Sequence, residues 1–287
     1  MSGSERGVFP PVHATLPDSV SHIFIVTKYE MLNYFRNRRF FILLTIGLLI
    51  SALLIIIVGH YRPAGLLSSP LAFYSTWWGF GISFVVILAA IFFGGDAISG
   101  EFQNKTGYFV VGHPIRRSSI YVGKYIAAFL AALIIFVLYT LIAVANGVYY
   151  FGPTIPGQFV EAVALAVLGL LAALAFTFFF SSLFKSGSMS ILVSAIMLLF
   201  GFTLIDELVI GIASYEPWFS LTYGAGVISN IMTVPYPAHE TTMSAFRGGP
   251  VSTTFNATLP EGILILFAYF VICGVLGLVL FERKEFN

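Results

Sequence analysis

Six stretches of this chain stay apolar for about twenty residues, the length at which a helix crosses a hydrocarbon core of about 30 Å. They are Phe40–Val58, Leu71–Phe93, Tyr125–Val144, Phe159–Phe180, Met189–Ile205 and Gly262–Phe281, the fifth being the shortest. A length of 287 residues would otherwise suit one or two soluble domains. Hydrophobic residues make up 58% and charged residues 9%, which leaves too few polar groups to cover an aqueous surface. The expected fold class is an all-α membrane protein, with residues 40–281 forming one six-helix transmembrane domain. Only SSLFKSGS separates the fourth and fifth runs, which makes them a tight helical hairpin.

Lysine and arginine near the span ends set the orientation. With both termini in the cytoplasm, the inner side holds Arg6, Lys28, Arg36, Arg38, Arg39, Lys105, Arg116, Arg117, Lys124, Lys185, Arg283 and Lys284. The outer side keeps Arg62 and Arg247. Twelve against two decides the topology and independently supports an even number of spans. A net charge of +1 gives no electrostatic case for nucleic acid as a partner. The lone cysteine, Cys273, allows no intrachain disulfide. Residues 1–20 form a polar, proline-bearing tail without the apolar centre of a cleavable signal peptide, and 282–287 a cytoplasmic tail.

Two regions do not span. Residues 21–39, within SHIFIVTKYEMLNYFRNRRF, alternate apolar and basic side chains. They fit an amphipathic helix lying along the cytoplasmic interface, with Arg36, Arg38 and Arg39 reaching headgroup phosphates of membrane lipid. Residues 207–261 form a long external segment. Its first part, YEPWFSLTYGAGVISNIM, reads as a re-entrant or interfacial helix pair between the fifth and sixth spans, and the rest as a turn-rich exposed loop. Asn256-Ala257-Thr258 in that loop matches a glycosylation sequon. Trp77 and Trp78 near the outer end of the second span, and Trp218 beyond the fifth, fit interfacial anchors. The pairs Gly169/Ala173 and Cys273/Gly277 sit at helix-packing spacing and read as packing within one bundle rather than as a dimer seam.

No catalytic or metal-binding pattern emerges. The phosphate-cradling loop G-x-x-x-x-G-K-[ST] fails at Gly123-Lys124, which Tyr125 follows, with Ser118 where the first glycine belongs. The chain is therefore not expected to hydrolyse ATP. H-E-x-x-H and G-x-S-x-G are absent, and the five histidines, at 13, 22, 60, 113 and 239, show no metal spacing. No catalytic residue, metal ligand or directly bound cofactor is expected. A carboxylate at a helix centre costs about 2.5–3.5 kcal/mol on insertion scales and would argue for a proton or sodium relay. None lies deep in a run. Glu161, Asp206 and Glu207 sit at outer span ends and read as solvated interfacial groups, with a charged ring at an external gate as the alternative.

Charge is densest in FFGGDAISGEFQNKTGYFVVGHPIRR, residues 92–117, within the cytoplasmic loop 94–124 between the second and third spans. Asp96, Ile98, Glu101, Thr106, Pro114, Arg117, Gly123 and Lys124 fall at the spacing D-x-I-x-x-E-x(4)-T-x(7)-P-x-x-R-x(5)-G-K. That pattern resembles the loop after the second helix of ATP-binding-cassette (ABC) type-2 permeases, the exporter-type membrane subunits. TKYEMLNYFRNRRFF is similar to the amphipathic N-terminal helix of that family. The resemblance covers the whole chain in outline: amphipathic helix, six spans, cytoplasmic ends, and a long outer segment before the last span. The family usually carries glycine before the threonine and leucine after it, where Lys105 and Gly107 stand here.

The resemblance implies a permease driven by a separate ABC ATPase, present in two copies that carry ATP and Mg. A second copy of this chain, or a similar permease, would complete the assembly. Such a permease needs a short rigid element protruding from the membrane. Tyr108, Phe109, Val110 and Val111 form an apolar knob too short to span and suited to a protein groove. Asp96 and Glu101 can pair with nearby basic residues and brace it. Pro114 stops the element, and Ser118 or Ser119 caps the third helix. Export of lipids, polysaccharides, drugs or peptides follows from the resemblance, and an uncharged pathway favours amphipathic or lipidic cargo. The alternative within the family is a mechanotransmitting subunit that drives an extracytoplasmic partner through residues 211–261 without passing cargo. An ATP-independent channel or membrane enzyme is disfavoured by the missing catalytic groups. The expected location is a prokaryotic cell (plasma or inner) membrane, crossed several times.

Overall fold

The computed structural model describes residues 19–103, 116–244 and 251–284. In chain order α1 (Ser19–Arg36) precedes α2 (Arg38–Tyr61), α3 (Pro70–Gly94) and the short α4 (Ser99–Gln103). Next come α5 (Arg117–Phe151), α6 (Gly157–Leu183), and α7 (Gly187–Ile196), which continues through a π-helical turn, Met197–Gly201, into α8 (Phe202–Ala213). Two short helices, α9 (Leu221–Ala225) and α10 (Val227–Asn230), and a hairpin of β1 (Glu240–Ser244) and β2 (Val251–Phe255) lead to α11 (Leu259–Arg283). Six of these helices, counting α7 and α8 as one, are long and apolar enough to cross a membrane.

Each apolar run seeds a helix that outlasts it, because backbone hydrogen bonding does not stop at the first charge. The third run was expected over 125–144, yet α5 has 35 residues, about 52 Å at 1.5 Å per residue. It ends where Gly152 takes φ +70, a conformation open to glycine, and Pro153 follows. At its start Arg116 occupies the cap position without a side-chain bond, so neither Ser118 nor Ser119 caps the helix as expected. The fifth run likewise passes beyond Ile205, through Asp206 and Glu207, to Ala213. At the N-terminus the chain breaks at Asn37, whose extended backbone separates α1 from α2 and whose side chain accepts from the amide of Arg39 at 3.1 Å. Arg38 and Arg39 therefore open the first spanning helix rather than close the amphipathic one.

The core forms around α6, which packs against α3 and α11, while α3 also meets α5. Small residues make this possible. A Cβ at Gly169 would lie 3.0 Å from Ile228 Cδ1, and one at Gly277 would lie 2.4 Å from Tyr121 Oη. Both small-residue pairs read from the sequence thus pack within the chain. Trp77 and Trp78 are 1% and 0% exposed, against the interfacial placement expected for them. Trp77 packs tilted against Phe73 and Trp78 meets Phe159 edge-on, because α2, α5 and α6 cover α3. Trp218, by contrast, is 57% exposed. Apolar side chains such as Phe41, Leu49 and Ile56 on α2, and Leu204 and Leu208 on α8, point outward, as a lipid-facing surface requires.

The segment after α8 is more ordered than its turn-rich sequence implied. It holds two short helices, α9 and α10, which bury Leu221, Tyr223, Val227 and Ile228. The expected exposed loop instead contains the antiparallel hairpin, with Glu240 opposite Phe255 and Thr242 opposite Thr253. β2 contains the adjacent β-branched residues Thr253 and Thr254, which favour extended backbone.

Candidate functional site

Two polar clusters occupy opposite ends of the bundle. The first surrounds the borders of residues 104–115 and is built where α1 crosses α5. Gly123 allows the crossing: a Cβ there would lie 2.8 Å from Val26 Cβ and 3.1 Å from the Ile23 carbonyl. Thr27 closes the contact by donating to the Gly123 carbonyl at 3.2 Å. The next residue, Lys124, then turns its ammonium between Glu30 of α1 and Glu101 of α4, the latter at 2.8 Å. Its side chain is 7% exposed, so both carboxylates are needed to satisfy a charge so far from water.

A second ion pair lies alongside. Arg39, in the first turn of α2, donates to Asp96 at 2.6 Å, while Arg36 and Arg38 are exposed. Tyr34 donates to the Phe93 carbonyl at 2.9 Å, fastening α1 to the end of α3. Burial, and after it the Glu30 and Asp96 carboxylates, holds the Tyr34 phenol well above its ordinary value, so it remains a donor.

Helix ends meet here and satisfy one another. Ser181 of α6 accepts from the amides of Ile98 and Ser99 at 2.9 and 3.0 Å, capping α4 from another helix. Gln103 accepts from the Gly187 amide at 2.7 Å, at the start of α7. Arg117 donates to the carbonyls of Glu282 and Lys284 at 3.0 and 2.8 Å, at the end of α11. Lys284 in turn donates to the carbonyls of Ser182 and Phe184 at 2.9 and 2.7 Å, at the end of α6, and stands over the Phe102 ring. Burial, with Lys185 nearby, pushes the Lys284 ammonium down to about 8.

Of the residues singled out in the sequence, Asp96, Glu101, Arg117 and Lys124 converge at this end. Lys124 belongs to α5 rather than to a loop. Thr106, Tyr108, Phe109, Val110, Val111 and Pro114 lie outside the described residues. Glu30, Gln103, Ser181 and Lys284 were missed. Glu30 carried a faint signal, as a carboxylate one helical turn beyond Val26 on the face of α1 that meets Gly123.

The second cluster lies at the other end. Asp206 accepts from Ser220 at 2.9 Å and Thr222 at 2.6 Å, which ties α8 to the start of α9. Glu161 and Glu207 are exposed, and no hydrogen bond or ion pair joins either to Asp206 among the described residues. Glu216, His239 and Glu261 offer ligand atoms that all lie within 4.8 Å of one another. Positions so far apart in sequence, with no repeated spacing, gave no signal of this meeting.

Among curated proteins none matches this chain. The sequence model described as ABC-2 family transporter protein matches residues 24–286, nearly the whole described bundle. The chain therefore belongs to the ABC-2 transporter family, as a multi-pass membrane permease subunit of an ABC transporter.

Proposed function

We propose that this permease turns ATP binding and hydrolysis on a separate ATPase subunit into movement of its own helices, and so exports a substrate. The supporting observation is the anchoring of both borders of residues 104–115. Gln103 holds the start of α7 and Arg117 the end of α11. Beside them Lys124, Glu30, Glu101, Arg39 and Asp96 join α1, α2, α4 and α5. A push on 104–115 would reach the whole bundle through these contacts rather than dissipate in a loose turn. Thr106, the apolar knob Tyr108–Val111 and Pro114 would meet the ATPase.

On this reading the Lys124 end is cytoplasmic, as are both termini, in agreement with the twelve-to-two distribution of basic residues. Two ATPase subunits, each with ATP and Mg, serve two copies of this chain or one copy and a similar permease. Arg36 and Arg38 face lipid headgroups, whereas Arg39 braces Asp96. Span centres without charged residues favour amphipathic or lipidic cargo. The test is co-purification of the ATPase with a Tyr108→Asp, Phe109→Asp variant. Association should be lost while membrane insertion is kept; retained association would refute the reading.

The hairpin favours a second reading, in which the segment after α8 drives an extracytoplasmic partner and no cargo passes. Transport by vesicles holding the permease and ATPase separates the two. Full transport after deletion of residues 233–258 would count against the partner.

A further inference from the structure

The geometry points to a divalent transition-metal site, of Zn²⁺ type, formed by Glu216, His239 and Glu261 at the end of the bundle opposite Lys124. This goes beyond the coupling reading and does not depend on it. The three residues come from separate parts of the chain: the link between α8 and α9, the residue before β1, and the first turn of α11. Their ligand atoms all lie within 4.8 Å of one another, and His239 Nε2 is 3.4 Å from Glu216 Oε2. Ligand atoms about 2.0–2.2 Å from a tetrahedral zinc stand about 3.3–3.6 Å apart, so this pair is already at coordination spacing.

The surrounding hydrogen bonds leave the ligand atoms free. His239 Nδ1 lies 3.0 Å from the Asn256 carbonyl, which accepts its hydrogen. In the neutral ring that leaves the Nε2 lone pair facing a carboxylate oxygen, an opposition of two acceptors that a cation between them resolves. A backbone carbonyl on the other ring nitrogen is the usual outer-shell arrangement of a metal-bound histidine. Glu216 Oε1 accepts from Tyr223 at 2.5 Å, which orients Oε2 toward His239. Burial, and then Glu216 itself, holds the Tyr223 phenol above its ordinary range, so it stays a donor. Glu261 Oε2 accepts from the Thr258 amide and hydroxyl at 3.1 and 3.2 Å in a capping box, leaving Oε1. Among the described residues neither carboxylate has a lysine or arginine partner.

One imidazole and two carboxylates suit zinc better than calcium or magnesium, which favour all-oxygen sites of six or more ligands. Three protein ligands leave a fourth position for water, and His239, 44% exposed, gives an ion access from solvent. A bound ion would bridge the α8–α9 link and the residue before the hairpin to α11, and hold the segment against the bundle.

The test uses the full chain in detergent, purified without a histidine tag and stripped of metal. Zn²⁺ titrated by calorimetry, with elemental analysis, should give one ion per chain, and Co²⁺ should give visible ligand-field absorption. Glu216→Gln, His239→Gln and Glu261→Gln should each weaken Zn²⁺ binding more than about 100-fold; glutamine at 261 keeps the cap. Tyr223→Phe should weaken it about 10–100-fold, as loss of an outer-shell partner does. His60→Gln should leave it unchanged. Absent stoichiometric binding, absent Co²⁺ absorption in the unaltered protein, or undiminished binding by His239→Gln would overturn the site. His239 would then be a protonated partner of Glu216. Preference for Ca²⁺ over Zn²⁺ would overturn the metal class.

Discussion

Lys124 and Glu30 stand 94 positions apart in the chain and meet as an ion pair at the seam of α1 and α5, with the lysine side chain 7% exposed. The contact depends on the preceding glycine. Without a side chain at Gly123, α1 comes close enough for its carboxylate to join Glu101 on the buried ammonium. The Gly-Lys dipeptide thus has one physical role, docking α1 against a spanning helix.

Lys124→Met should destabilise the protein by about 3 kcal/mol. Removing one partner of a buried pair costs about 3–5 kcal/mol, and the low end applies because Glu30 and Glu101 retain 20% and 22% exposure. Adding Glu30→Gln should restore part of the loss, since that carboxylate then no longer carries a charge at the seam. Thermal unfolding in detergent measures both.

Arg39→Ala should cost only about 1 kcal/mol, because Arg39 and Asp96 are 37% and 25% exposed and water screens them. If residues 104–115 couple to an ATPase, transport per ATP should nonetheless fall several-fold. Unchanged transport would remove Arg39 from the coupling path.

Ser181→Ala should cost about 1–3 kcal/mol by leaving the buried amides of Ile98 and Ser99 without their acceptor. Hydrogen exchange should quicken at these two amides, while amides of α11 keep their protection.

Gly81→Ala should destabilise the bundle by about 1–3 kcal/mol, because the new Cβ would fall 1.7 Å from Tyr139 Oη. Gly79, two residues earlier on the same helix, has nothing within 4 Å of such a Cβ. Its alanine variant should be neutral or stabilising, by up to about 1 kcal/mol. Equal unfolding temperatures for the two variants would contradict the packing described for α3.

Asp206→Ala should cost about 1–2 kcal/mol, since Ser220 and Thr222 lose their shared acceptor. Exposed Glu207 and Glu161 should tolerate glutamine within about 0.5 kcal/mol. A charged gate predicts instead that all three substitutions alter transport together, which flux through reconstituted vesicles would reveal.

The six spans could be read from the sequence because apolar length is a local property, counted along the chain without knowing its neighbours. Their ends could not. Charges such as Lys124 and Asp206 look like boundaries in one dimension, yet each lies inside a continuous helix with its charged group satisfied by residues of other elements. Trp77 and Trp78 were misplaced for the same reason: an indole near a span end suits either lipid or core, and only the helices covering α3 decide between them.

By itself the sequence determined that this chain spans a membrane six times and that its charge gathers beside the second and third helices, because hydrocarbon thickness and the cost of burying charge act on each residue directly. The tertiary structure decided which charges pair, which helix end caps which, and that Glu216, His239 and Glu261 share one corner. Those outcomes depend on distances of a few ångströms between residues tens of positions apart. Helix packing sets such distances, and local composition does not encode them.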